Sequence, residues 1–153
     1  MKIIMVASYR RILLVDDSPK DIELTIEALR DSGLSNEIDT AGDGEEALDF
    51  IYRRGRFKDR TGGDPAVILL DIKMPKVDGL EVLKHIKSDP AIKHIPVVIL
   101  TSSREEADLA RSYALGVNAY VVKPVGFSEF LDGIRQVGLF WAILNELPGE
   151  KGN

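Results

Sequence analysis

The chain has 153 residues, of which 44% are hydrophobic and 29% are charged, and this length suits one well-packed domain rather than two. Its 25 acidic and 20 basic residues leave a net charge of −5 at pH 7, which argues against a general electrostatic hold on nucleic acid or on an anionic membrane. The absence of cysteine excludes disulfides, thiolate metal sites and a thiol nucleophile, and two histidines leave little room for zinc.

The chain alternates short apolar runs with segments of helical spacing. The runs are rich in Val, Ile or Leu, as is typical of strands buried on both faces, and they are predicted at 12–15, 38–41, 67–70, 97–100 and 119–122. Helices are predicted on the apolar spacing of Ile22, Ile26 and Leu29, at 44–54, on Leu80, Leu83 and Ile86, at 104–115 and at 126–146. This order predicts the α/β class, with a doubly wound five-stranded parallel sheet and helices on both faces.

The sequence predicts neither a secretory signal nor a membrane span. No apolar run approaches the roughly 20 residues that a membrane helix needs, and the first ten residues lack the small-residue cleavage pattern of a secretory signal. We therefore expect a cytoplasmic protein without membrane contact. Residues 1–10 are assigned to an N-terminal lead and residues 148–153 to a short tail.

Polar side chains follow four of the predicted strands. Asp16 and Asp17 end the first strand, Asp71 the third, Thr101 the fourth and Lys123 the fifth. Because the carboxyl ends of parallel strands lie at one edge of the sheet, we expect these groups to converge. Each acid alone could be a helix cap. Acids crowded together repel one another, so the cluster predicts a bound cation.

The chemistry of this cluster favours a phosphorylated carboxylate. Carboxylates without His or Cys partners suit Mg²⁺, or Mn²⁺ in its place, since such an ion keeps waters and leaves room for a phosphate oxygen. Asp71 could then attack phosphorus without a general base, because the metal offsets the charge repulsion. The Lys123 ammonium could pair with one phosphoryl oxygen, and the Thr101 hydroxyl could donate to another.

Five ordered motifs resemble those of the response-regulator receiver domain, similar to the chemotaxis type. They are VDDSP, AGDGEEAL, LLDIKMPKVDG, VVILTSS and NAYVVKPV, and the resemblance covers nearly the whole chain. It implies a flavodoxin-like receiver fold over residues 11–147, without an output domain. It also implies a phospho-accepting response regulator of a two-component histidine-kinase phosphorelay, with limited self-phosphorylation and autodephosphorylation but no ordinary enzyme activity.

The resemblance implies a role for each acidic residue of the cluster. Asp71 is the phospho-acceptor, and the divalent metal is bound by Asp16, Asp17, Asp71 and the backbone carbonyl of Lys73. Lys73 and Ser103 stand two residues beyond Asp71 and Thr101, so we expect them to flank the phosphoryl group and to tune its hydrolysis. The longer Lys73 side chain is predicted to screen water and to lengthen the phosphate lifetime.

The resemblance also implies a conformational switch. Thr101 matches the switch hydroxyl, Tyr120 the switch aromatic and Lys123 the phosphate-pairing lysine, and the peptide between Lys123 and Pro124 is expected to be cis. One charge-assisted hydrogen bond, worth about 1.5–3 kcal/mol, would bias the Thr101/Tyr120 face toward a partner-binding conformation without locking it. The alternative for Tyr120 is an ordinary strand aromatic with its hydroxyl at the surface.

The partner interpretation depends on a narrower resemblance. The loop at 53–65 and the stretches SYALGVNAYVVKPV and GLFWAILNELP resemble the single-domain response regulators of bacterial and cyanobacterial phytochrome histidine kinases, so a sensor kinase of that kind is the expected partner. The basic loop itself is either a docking surface or a solvated connection. Phe140, Trp141 and Leu144 belong either to an extended core under the last helix or to a homodimer surface.

Four other functions compete with this interpretation. A degenerate receiver would act as a phosphorylation-independent binding module. An aspartyl-phosphate phosphohydrolase of the haloacid-dehalogenase type needs a second acid two residues after the nucleophile, where Lys73 stands. A flavin or nucleotide binder needs a Gly-rich phosphate loop after Val15, where acids stand instead. Direct DNA binding would need an output domain after Lys151. His85 and His94 are assigned no chemistry.

Overall fold

The computed structural model describes residues 11–31 and 36–123. The predicted lead, tail and last helix lie outside the described residues. So do Pro124, with the predicted cis peptide, and the three residues of the predicted dimer surface, Phe140, Trp141 and Leu144. The predictions for these parts of the chain therefore stay predictions.

Five strands and four helices alternate along the described chain. The strands are β1 (Ile12–Val15), β2 (Ile38–Ala41), β3 (Val67–Leu70), β4 (Val97–Thr101) and β5 (Ala119–Val122). The helices are α1 (Pro19–Asp31), α2 (Gly44–Tyr52), α3 (Gly79–Ser88) and α4 (Glu106–Ala114), with a short 3₁₀ helix at Gly55–Phe57. None of the helices in these two described ranges is long and apolar enough to cross a bilayer.

All strand pairs are parallel, and the order across the sheet is β2-β1-β3-β4-β5. Successive residues of each strand point to opposite faces, so the apolar runs supply two separate cores. One core lies between the sheet and the apolar sides of α2 and α3. The other contains Leu29 of α1, against which Ile22 and Ile26 also pack. The predicted doubly wound parallel sheet with helices on both faces is confirmed.

Helix α2 ends two residues earlier than the predicted limit of 54. Arg53 takes a left-handed backbone conformation with φ of 57°, and its N–H and that of Arg54 donate to carbonyls of the last turn. A left-handed residue is a common way to end a helix, because its N–H satisfies the free carbonyls there. The chain leaves α2 here and enters the basic loop.

The basic loop is held by its own arginines. The Arg53 guanidinium donates to the carbonyls of Arg60, at 2.9 Å, and of Gly62. Arg60 donates in turn to the carbonyl of Phe50 at 2.9 Å and lies 4.1 Å from the centroid of the Phe50 ring. Arg53 is exposed and Arg60 partly buried, and both bind backbone of their own loop or of α2. Whether the loop docks a partner stays a prediction.

Candidate functional site

The sheet brings the predicted polar groups to one edge. The N–H of Asp71 donates to the carbonyl of Val15 at 3.0 Å, so the residues that follow β3 and β1 start side by side. The N–H of Lys123 donates to the carbonyl of Thr101 at 2.8 Å, which joins the ends of β5 and β4 in the same way. The expected convergence of strand ends thus follows from the backbone register alone.

Three carboxylates form a compact cluster at this edge. One oxygen from each of Asp16, Asp17 and Asp71 lies within 4.8 Å of the others. Asp16 and Asp71 are buried, at 2% and 7% exposure, while Asp17 is exposed. Backbone N–H groups hold the two buried acids, because Asp16 accepts from Ser18 at 3.0 Å and Asp71 from Ile72 at 2.9 Å. An all-oxygen donor set open to solvent on one side suits a divalent cation that keeps part of its water shell.

Lys123 supplies the positive charge of the cluster. Its Nζ lies 2.7 Å from Asp16, 2.9 Å from Asp21 and 3.8 Å from Asp71. Burial by itself would lower the pKa of Lys123, but the hydrogen bonds to Asp16 and Asp21 outweigh it and raise the pKa above the ordinary value. Lys123 is therefore an ammonium at neutral pH, and it stands beside the carboxylate of Asp71.

Burial is the largest influence on the pKa of Asp71. Desolvation raises the pKa of this carboxyl above its ordinary value, and the neighbouring Asp16 adds to the rise. The hydroxyl of Thr101 and the ammonium of Lys123 act in the opposite direction without cancelling it. A cation held by the cluster would favour the ionised form further, since an opposite charge nearby lowers a carboxyl pKa.

Two helix starts keep the cluster in place. Ser18, not Asp17, caps α1, because its hydroxyl accepts from the N–H of Asp21 at 3.1 Å; Asp17 is thereby left for the cluster. At α3, Asp78 caps the helix, and Gly79 packs so closely that a Cβ there would lie 2.0 Å from the carbonyl oxygen of Asp71. Only glycine fits this approach of α3 to the end of β3.

A second group of contacts connects the end of β4 with β5. Thr101 is fully buried, and its hydroxyl accepts from the N–H of Ser103 at 3.3 Å. The hydroxyl of Tyr120 donates to the carbonyl of Ser103 at 3.1 Å. Tyr120 is half-buried, and this bond joins its hydroxyl to the chain that follows Thr101.

Comparison with known proteins identifies the family. The family profile described as the response regulator receiver domain matches residues 12–135. The chain belongs to the response regulator receiver family. It is a phospho-accepting response regulator of the two-component type, and the predicted family and fold are confirmed.

The similar proteins include phytochrome response regulators of known structure. The chain is 39% identical over 137 residues to the response regulator Rcp1 of Synechocystis, which covers 90% of this chain and 92% of Rcp1. The bacteriophytochrome response regulator AtBRR is 58% identical with a TM-score of 0.83, covering 92% of this chain and all of that one. The phosphorylated cyanobacterial phytochrome response regulator RcpA is 40% identical with a TM-score of 0.74, covering 92% and 99%.

A metal-bound structure of Rcp1 bears on the acidic cluster. The Mn²⁺-bound form is 38% identical to this chain with a TM-score of 0.73, covering 91% of this chain and 99% of that one. Receiver domains bind a divalent metal, and the cluster of Asp16, Asp17 and Asp71 fits such an ion.

The structure places the described residues of the predicted site at this edge or on the chain that leaves it, except Tyr120, which lies within β5. Asp16, Asp17, Asp71 and Lys123 lie together. The Lys73 side chain, predicted to screen water, is paired with Asp108 of α4 at 3.4 Å. The two histidines lie elsewhere, with His94 beside Asp64 at 3.1 Å and His85 in edge contact with the Tyr52 ring.

Sequence reasoning missed two acids of this region. Asp21 accepts from Lys123 across the cluster, and Asp108 accepts from Ser103 and pairs with Lys73. Both stand in the first turn of a helix, where an acid is expected to favour the helix dipole. Because an acid in a first turn needs no partner, the sequence gives no sign of these contacts.

Proposed function

We propose that Asp71 accepts a phosphoryl group from a sensor histidine kinase. The supporting observation is the packing of Asp16, Asp17 and Asp71 within 4.8 Å beside the ammonium of Lys123. A carboxylate flanked by a cation site and a lysine can receive the phosphoryl group, because the negative charge that arrives is met by positive charge already in place. The relatives named above make a phytochrome kinase the favoured donor.

The transfer step needs no general base. An oxygen of Asp71 forms a bond to phosphorus, the bond from phosphorus to the phosphohistidine nitrogen of the donor breaks, and the imidazole nitrogen keeps that electron pair. Asp16, Asp17 and Asp71, together with the carbonyl of Lys73, would hold Mg²⁺ or Mn²⁺. When bound, the ion neutralises charge on the phosphoryl oxygens. Lys123 pairs with one phosphoryl oxygen, for which it is already placed 3.8 Å from Asp71.

Thr101 and Tyr120 form the proposed switch. Thr101 lies at the buried end of β4, and the hydrogen bond from its hydroxyl lowers the pKa of the Asp71 carboxyl. A phosphoryl group on Asp71 would offer this hydroxyl stronger, charged acceptors. Ser103 bonds to both Thr101 and Tyr120, so a movement of Thr101 would also shift Tyr120. The result is a changed β4–β5 surface for a partner.

The remaining assignments extend this proposal. The receiver domain is taken as residues 11–147, and the protein acts in the cytoplasm by changing conformation rather than by turning over a substrate or binding DNA. We also propose a homodimer through Phe140, Trp141 and Leu144. Sedimentation of the wild type against Trp141→Glu tests the dimer, since identical monomeric behaviour of both proteins would exclude it.

Intact-mass measurement with acetyl phosphate tests the central step. We expect a gain of one phosphoryl group in the presence of Mg²⁺, and no gain with a chelator or in Asp71→Asn. Asp59→Asn is the matched control, because Asp59 is an exposed carboxylate of the basic loop and should be phosphorylated like the wild type. A folded wild type that takes no phosphoryl group would refute the proposal and favour a degenerate receiver that acts as a binding module.

A further inference from the structure

Asp108 is a buried carboxylate with two specific partners. It stands in the first turn of α4 and is 5% exposed. The hydroxyl of Ser103 donates to its Oδ2 at 2.6 Å, and the ammonium of Lys73 lies 3.4 Å from the same oxygen. Ser103 is two residues beyond Thr101, and Lys73 is two residues beyond Asp71. One carboxylate therefore joins the chain after β3 to the chain after β4.

Ser103 connects this carboxylate with the proposed switch. Its N–H donates to the Thr101 hydroxyl at 3.3 Å, and its carbonyl accepts from the Tyr120 hydroxyl at 3.1 Å. The bond to Asp108 fixes the Ser103 side chain, while the other two bonds fix its backbone. The three bonds meet at one residue, so Ser103 connects Asp108 with both Thr101 and Tyr120.

An acid in the first turn of a helix can be favourable through its interaction with the helix dipole alone. Glu106 is an example of such an acid. Glu106 stands in the same turn of α4 and is exposed. A dipole effect requires neither burial nor side-chain donors. Burying a carboxylate is costly unless hydrogen bonds and a counter-charge compensate for it. The burial of Asp108 against Ser103 and Lys73 therefore points to a task beyond helix stability.

We propose that Asp108 is a positioning residue that holds Lys73 and Ser103 beside the approach to Asp71 and thereby slows hydrolysis of the phosphoryl group. The inference rests on the proposed function, in which Asp71 carries that group. In hydrolysis, a water oxygen bonds to phosphorus and the bond from phosphorus to the Asp71 oxygen breaks. The carboxylate keeps the electron pair, and the water proton passes to the released phosphate or to solvent.

The contacts of Lys73 explain why its pairing with Asp108 should affect hydrolysis. The Lys73 side chain is 61% exposed, so without Asp108 little else among its described contacts would restrict it. A free lysine side chain samples many rotamers and covers any one place only part of the time. Pairing with Asp108 holds this side chain between the chain after β3 and the first turn of α4. In the proposal, a lysine held there reduces the access of water to Asp71, two residues earlier in the chain.

Dephosphorylation rates of the full chain test the proposal. After loading with acetyl phosphate and Mg²⁺, we expect Asp108→Asn to lose the phosphoryl group about threefold faster or more, a coupling usual for residues in contact. Asparagine keeps an acceptor for Ser103 but removes the charge that holds Lys73. The double variant Lys73→Ala/Asp108→Asn should be no faster than Lys73→Ala alone. Glu106→Gln, a charge loss in the same turn, should match the wild type.

Other outcomes separate the two proposals. A wild type that takes up no phosphoryl group overturns both. A phosphorylated Asp108→Asn with the wild-type lifetime, or rates whose increases multiply in the double variant, overturns the role of Asp108 alone. Ser103→Ala, which leaves every charge in place, should also hydrolyse faster. Mn²⁺ binding measured by electron paramagnetic resonance should be unchanged in Asp108→Asn, because a general loss of structure would weaken the metal cluster as well.

Discussion

Replacing Lys123 with methionine tests how much its ammonium stabilises the folded protein by compensating the charge of the carboxylate cluster in metal-free buffer. The Lys123 ammonium lies 2.7 Å from Asp16, and the two side chains are 12% and 3% exposed. Removing one partner of a buried pair leaves an uncompensated charge, at a cost of about 3–5 kcal/mol. The second pair, with Asp21 at 40% side-chain exposure, adds only about 0.2–1 kcal/mol. The cluster opens to solvent at Asp17, so we expect the lower end, a loss of about 3 kcal/mol.

The expected loss of stability in Lys123→Met comes from the uncompensated charge on Asp16. A second variant tests this cause. In Asp16→Asn/Lys123→Met the buried charge and its partner disappear together, which costs less than removing the lysine alone. We expect this double variant to recover about 1–3 kcal/mol, the coupling typical of residues in direct contact. Added Mg²⁺ should also reduce the deficit of Lys123→Met, because the ion brings positive charge to the same carboxylates.

Urea unfolding at pH 7 with a chelator is the assay. The pKa of Lys123 is raised in the folded protein, so its contribution is fully present below the ordinary lysine value of 10.5 and is lost as pH rises through the folded pKa. At pH 7 the whole effect is therefore measured. Lys93→Met, at an exposed position, is the control. Equal midpoints for Lys123→Met and Lys93→Met, or no recovery in the double variant, would refute the reasoning.

Two further predictions concern glycine packing and a tyrosine pKa. Gly79→Ala should lower the free energy of unfolding in urea by about 1–3 kcal/mol and weaken Mn²⁺ binding, because its Cβ would displace the backbone of Asp71. Gly63 has open space around it, so Gly63→Ala should change neither quantity. Burial and the hydrogen bond to Asp89 raise the pKa of Tyr52 to about 12, so the stability that this hydroxyl contributes is present below the ordinary tyrosine value of 10.0 and is lost as pH rises toward 12. Burial also raises the pKa of Tyr120, so the ultraviolet titration of the wild type is compared with that of Tyr52→Phe. The difference between the two should be a tyrosinate step late in the titration, and a difference step at the ordinary tyrosine value would contradict the assignment.

The strands were predictable because parallel strands covered on both faces carry a strong signal. Every residue of β1, β3 and β4 is buried, so these strands appear in the sequence as unbroken apolar runs. Once the strands are placed, the carboxyl ends must share an edge, and the order β1-β3-β4 puts Asp16 beside Asp71. The cluster was therefore predictable from where polar residues follow apolar runs, before any side-chain geometry was known.

The contacts around the cluster were not predictable in the same way. Asp21 and Asp108 each occupy a first helical turn, where an acid needs no partner to be favourable. Their actual partners, Lys123 and Ser103 with Lys73, come from other elements of the chain. Periodicity and spacing describe one element at a time, so they carry no signal for a bond that joins two loops.

The end of α2 illustrates a second limit of pattern reasoning. A run of arginines after a helix is typical of a solvated segment. Arg53 and Arg60 instead satisfy backbone carbonyls across the loop, and Arg60 also stacks on Phe50. A guanidinium offers five donors in a fixed plane, which lets it bond several carbonyls at once. The charge count of the segment does not show that Arg60 packs on the Phe50 ring, or that the exposed Arg53 is bonded to the loop backbone.

The charge balance of the edge explains why a metal and a phosphoryl group suit it together. Asp16, Asp17, Asp71 and Asp21 face a single ammonium, Lys123, so the cluster has an excess of negative charge. Burial raises the pKa of Asp71 because that excess is poorly solvated there. A divalent cation held by Asp16, Asp17 and Asp71 would offset most of this excess and would favour the ionised form of Asp71. A phosphoryl group on Asp71 would bring negative charge to a point that Lys123 and Thr101 already border. The excess of carboxylates therefore favours a bound divalent ion, and that ion with Lys123 would in turn favour the phosphoryl group.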